Sequence, residues 1–87
     1  MSRFTSRPLP TKDDALAFAR EMVQREKWTS IKISEGTTKD GGEGLVLRAC
    51  ADCWIIAYDP SPTEAPGDER IWVEKSTGVV VKMILDD

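Results

Sequence analysis

The sequence predicts an α+β fold, with one N-terminal helix packed on a four- to five-stranded antiparallel meander sheet. Apolar residues recur at helical spacing between Lys12 and Trp28. After Trp28 the period shortens to two, in runs parted by turns rich in Gly, Pro, Asp and Ser. The 87 residues allow one domain with a small core.

Residues 1–10 form an expected extended arm, because Pro8 and Pro10 both oppose helix. The single domain then covers residues 11–87. Thr11 is the expected N-cap, with Asp14 three residues on completing a capping box. Ala15, Phe18, Ala19, Met22 and Val23 form the apolar stripe of the helix, and Leu16 widens it. Asp13 and Asp14 at its start, and Arg25 and Lys27 at its end, suit the helix dipole.

Five strands follow: Ser30–Glu35, Leu45–Cys50, Cys53–Tyr58, Arg70–Lys75 and Val79–Leu85. The glycine-rich stretch 36–44 reads as a mobile hairpin loop, and Ala51-Asp52 as a two-residue turn. The stretch 59–69, with three prolines and four acids, is a loop. Ser76-Thr77-Gly78 is a tight turn, with Gly78 suited to positive φ. Hairpin connections throughout imply a meander with the helix across one face.

A helix about 25 Å long and about 10 Å wide cannot cover both faces of a sheet about 20 Å across. Trp54, Ile56, Tyr58, Ile71, Val73, Val79, Val81, Met83 and Leu85 are assigned to the helix side. The opposite face would then hold Val46, Ile55, Trp72, Val80 and Ile84, an apolar patch suited to protein contact. Curling of the sheet, or cover by Phe4 and Leu9 of the arm, would remove that patch.

Composition excludes several functions. Hydrophobic residues at 40% and charged residues at 31% fit a folded chain rather than a disordered one. No apolar run reaches the ~20 residues of a membrane span, and the start MSRFTSRPLP lacks the apolar centre of a secretory signal. With only two cysteines, the expected location is the cytoplasm. The absence of histidine removes Ser-His-Asp, Cys-His and imidazole–metal chemistry within one chain. The net charge of −3 divides into +3 over residues 1–32, −6 over 33–69 and zero over 70–87. The basic third is interrupted by Asp13, Asp14, Glu21 and Glu26, so nucleic acid is not an expected partner. The acidic middle favours a basic partner, or serves solubility alone.

Cys50 and Cys53 form one CxxC. Its place at a hairpin turn denies it the helix N-terminus that activates a redox thiol. Two thiols also fall short of the four ligands of structural zinc. Inert small residues, a reversible disulfide and a metal site shared by two chains remain the alternatives. The glycines of residues 40–44 lack the following Lys-Ser/Thr and helix of a phosphate loop. The carboxylates lie mostly in solvated loops, so no catalytic residues, enzyme activity or cofactor are expected. The expected contact residues are Trp72 as anchor, Val80 and Ile84 beside it, and the acids Asp40, Glu43, Asp59, Glu64, Asp68 and Glu69.

Trp54-Ile55-Ile56-Ala57-Tyr58-Asp59, followed by Ile71-Trp72-Val73-Glu74-Lys75-Ser76-Thr77-Gly78-Val79-Val80, resembles the small bacterial domains grouped with YrhB, which include immunity proteins of polymorphic toxin systems. Peptidase-propeptide-like domains end in a similar hairpin. The YrhB-like resemblance covers residues 12–84 in order of elements, but only 54–59 and 71–80 in residues. The chain departs from the group's pattern in its short 59–69 loop and in the CxxC before Trp54. The resemblance implies a protein that neutralises a cognate toxin by occluding its surface, without catalysis. A chaperone-like or self-associating module and a minor redox protein using Cys50 and Cys53 are the alternatives. The expected partner is a toxin with a basic surface, or a second copy in a homodimer.

Overall fold

The computed structural model describes residues 7–59 and 69–84. The order of elements is α1 (Lys12–Glu26), β1 (Thr29–Gly36), β2 (Leu45–Val46), β3 (Cys53–Asp59), β4 (Glu69–Glu74) and β5 (Val80–Ile84). The α+β class, the N-terminal helix and the five antiparallel strands are as the sequence implies.

The helix is fixed at both ends by local chemistry. Asp14 N–H donates to Thr11 Oγ1 at 3.3 Å, and Thr11 N–H donates to Asp14 Oδ2 at 3.2 Å. Two free helix-end donors are thereby matched reciprocally. Lys27 adopts a left-handed conformation (φ 62°), and its N–H donates to Val23 O. The helix thus stops at Glu26, and Trp28 turns into the core to stack on Tyr58, with ring centroids 3.5 Å apart.

The strand order is β1-β3-β4-β5-β2, which is not a meander. β1 pairs with β3 (Ile33 with Ile56), β3 with β4 (Ile55 with Trp72) and β4 with β5 (Trp72 with Lys82). β2 leaves its sequence neighbours and pairs with the far edge, Leu45 against Met83 and Val46 against Lys82. It has only two residues, where the sequence suggested six.

Each face of the sheet carries its own core. On the helix side, Leu9, Phe18, Met22, Trp28, Trp54, Ile56, Tyr58, Ile71 and Val73 are buried together. On the other side, Cys53, Trp72 and Val81 are buried, with Cys50, Ile55 and Ile84 packed against them. The expected open face is therefore covered, and the cover is residues 37–52, which cross it to reach β2 and return to β3. Phe4 lies outside the described residues. Leu9 packs on the helix side rather than over this face, with its N–H donating to Lys75 O and its carbonyl accepting from Trp54 Nε1.

A register shift between Trp72 and Val73 corrects the face assignment in β5. Val73 pairs with Val80 and Trp72 with Lys82, so Val81 has no opposite number. Val80 consequently packs on the helix-side core and Val81 on the other, the reverse of simple alternation.

Candidate functional site

The crossing segment is held by a buried cation. Lys82 is 1% exposed, and its Nζ donates to the carbonyls of Thr38, Asp40 and Gly42 at 2.8, 3.0 and 2.6 Å. The same ammonium sits 4.5 Å from the centre of the Trp72 ring. All three of its donors are thereby matched, and the indole face supplies further negative potential. Gly41 allows the close approach: at φ +82°, an added Cβ would lie 2.5 Å from Trp72 Cζ2. Among the described residues, Trp72 Nε1 is buried without a hydrogen-bond partner.

The two limbs of the segment are tied to each other. Thr38 N–H donates to Cys50 O at 2.9 Å, and Cys50 N–H donates to Thr38 Oγ1 at 3.1 Å. Cys50 is half-buried and Cys53 fully buried; Cys50 Sγ donates to Asp52 O at 3.5 Å and Cys53 Sγ to Cys50 O at 3.9 Å. Burial, the contact with Cys50 and the neighbouring carboxylates push the Cys53 thiol up to about 12. This is the opposite of the lowered value that an activated redox thiol needs.

Glu74 gathers the polar groups beside this pair. It accepts from Thr77 Oγ1 at 2.7 Å and from Arg48 Nη2 at 2.5 Å. These contacts, the Thr77 hydroxyl foremost, hold its carboxyl below the usual range. Lys75 is bonded to Glu35 at 2.5 Å and to Asp52 at 3.0 Å, with its Nζ 4.4 Å from the Trp54 ring centre. Its two carboxylate partners, Glu35 first, raise its ammonium above the usual range. On the helix side, burial first and Glu69 second raise Tyr58, whose hydroxyl donates to Glu69 at 3.1 Å.

The residues expected to meet a partner are scattered. Trp72 is 0% exposed, so it is the centre of the second core and offers no surface anchor. Val80 and Ile84 are half-buried, each against a different core. Asp59 and Glu69 are half-buried at the adjoining ends of β3 and β4. Glu64 and Asp68 lie outside the described residues. Asp40 and Glu43 are exposed on the crossing segment.

After Glu43 and Gly44 comes an apolar surface that sequence reasoning placed inside a strand. Leu45, Val46 and Leu47 are 60%, 48% and 56% exposed. Three consecutive aliphatic residues in solvent are unusual for a pleated strand, where at least one face is normally packed. They are exposed because β2 lies at the outer edge of the sheet and is only two residues long. Leu47 N–H and Arg48 N–H both donate to Val81 O, which holds the run against β5.

Among the described residues, no group of three or more Cys, Asp and Glu could hold a metal ion, and no helix is long and apolar enough to cross a membrane. Comparison of the chain with protein-family models, with curated proteins and with solved structures finds no match.

Proposed function

We propose that the chain is a non-enzymatic binding protein of the immunity type, which occludes a basic protein partner with the run from Asp40 to Leu47. The observation that carries this reading is the exposed Leu45-Val46-Leu47 edge beside the exposed carboxylates Asp40 and Glu43. An apolar centre with charged flanks is the usual anatomy of a protein interface. The likeness of residues 54–59 and 71–80 to YrhB-like domains supports the immunity assignment, and the excess of acids over residues 33–69 supports a basic partner.

The test is the double variant Leu45→Ser with Leu47→Ser, titrated against the basic protein that the wild-type chain pulls down from its native cell. Affinity should fall by more than about thirtyfold, or about 2 kcal/mol, while folding stability changes by less than about 1 kcal/mol because both side chains are exposed. An affinity loss below about twofold overturns the assignment of this edge. Reversing Asp40 and Glu43 to lysine should chiefly slow association and weaken its salt dependence.

The free outer edges of β1 and β2 favour one second reading, a self-associating or chaperone-like module. It requires a concentration-dependent dimer in sedimentation that the double variant abolishes. A monomer at all concentrations removes it.

A further inference from the structure

We propose that Cys50 is a thiol-exchange site for low-molecular-weight disulfides of the glutathione type, with Cys53 as the resolving thiol that closes an intramolecular disulfide. Three features of place carry the inference. Cys50 lines a cavity of about 370 Å³, together with Thr37, Thr38, Lys39, Ala49 and Ala51, so a small disulfide can reach it. Lys39 puts a cation on the wall of that cavity, which suits an anionic tripeptide disulfide. Cys53 is fully buried with its Sγ 3.9 Å from the Cys50 carbonyl oxygen, so it is shielded from the reagent but beside the residue on which a mixed disulfide would form.

The exchange balances in two steps. The Cys50 thiol gives its proton to buffer, and its sulfur attacks one sulfur of the disulfide RSSR. A Cys50–SR bond forms, the S–S bond of the reagent breaks, and RS⁻ leaves to take up a proton. The Cys53 thiol then loses its proton and attacks Cys50 Sγ, displacing the second RS⁻, which is protonated in turn. The dithiol is oxidised by two electrons and RSSR is reduced to two RSH.

The two steps differ in pH response. Burial holds the Cys53 thiol protonated, so the mixed disulfide on Cys50 accumulates first and closure quickens as pH rises.

The test uses the full chain, oxidised glutathione and intact-mass spectrometry with peptide mapping. The wild type should first gain one glutathione, on Cys50, and then lose it as the intramolecular disulfide closes. Cys53→Ser should stop at the mixed disulfide, and Cys50→Ser should stay unmodified while folded. Mapping of the wild-type adduct needs no variant, and Cys53→Ala replaces Cys53→Ser if the serine variant fails to fold. The proposal is overturned if the adduct maps to Cys53, if the folded chain reacts only in denaturant, or if closure is absent or independent of pH.

Discussion

Lys82 gives up its hydration for three carbonyl oxygens and an indole face. Replacing it with methionine keeps much of the volume but takes the donor from the buried Thr38 carbonyl and the part-buried Asp40 and Gly42 carbonyls. Hydrogen bonds to a charged group are worth about 1.5–3 kcal/mol, so Lys82→Met should cost about 3 kcal/mol in urea denaturation; a loss below about 1 kcal/mol would show that the cation does not hold the segment. Gly41 and Gly42 provide a finer comparison. Both have positive φ, but a Cβ at Gly41 meets the Trp72 ring, whereas one at Gly42 meets nothing within 4 Å. Gly42→Ala therefore carries backbone strain alone, about 1 kcal/mol, and Gly41→Ala should exceed it by about 1 kcal/mol or more. Equal costs in parallel melts would remove the steric argument. Lys82 shows why this chemistry was not legible in the sequence: a lysine at an alternate strand position reads as solvent-facing, and only the crossing segment turns that position into an interior one.

At the scale of elements, what was legible depended on whether a periodic pattern has one structural meaning. The helix was legible because its stripe, its cap and its charges agree. The apolar strands β3, β4 and β5 were legible from alternation and from the turn at Gly78. The stretch from Gly36 to Gly44 has two physical readings, a loose hairpin or a backbone that lies flat on an aromatic ring, and both need glycine. Composition cannot separate them, so β2 was placed beside β1 instead of at the far edge. The register shift in β5 was hidden for a related reason. Val79, Val80 and Val81 are identical in chemistry, and nothing in three valines says which of them loses its partner. Trp72 goes inside in consequence, since the segment after β1 folds over it. Of the nine residues expected to meet a partner, Asp40 and Glu43 remain in the proposed surface.

For the whole molecule, the ionisable groups give stability a defined pH profile. The carboxyl of Glu74 has a folded pKa below the usual value, so its contribution is present above about pH 4.3 and is lost as pH falls through the folded value. Lys75, Tyr58 and Cys53 are all raised on folding. Their contributions are complete below the unfolded values and are lost as pH rises toward the folded ones. The thiol acts first, because a free cysteine ionises near pH 8.5 while Cys53 is held up to about 12. Between those values stability should fall with pH, and Cys53→Ala should reduce that slope by about 1.4 kcal/mol per unit. Urea titrations at intervals across the alkaline range measure it; an unchanged slope in the variant would assign the loss to other groups.

The chain leaves β1, joins the far edge of the sheet as β2, and returns at β3, the immediate neighbour of β1. A flap whose two ends spring from adjacent strands can settle on the far edge after the rest has assembled, because pairing of β1 with β3 has already closed most of the ring it must span. Such late docking makes the flap a brake on unravelling more than a seed of assembly. Loosening it, as at Gly41, would then shorten the lifetime of the native state while leaving the speed of its formation nearly untouched.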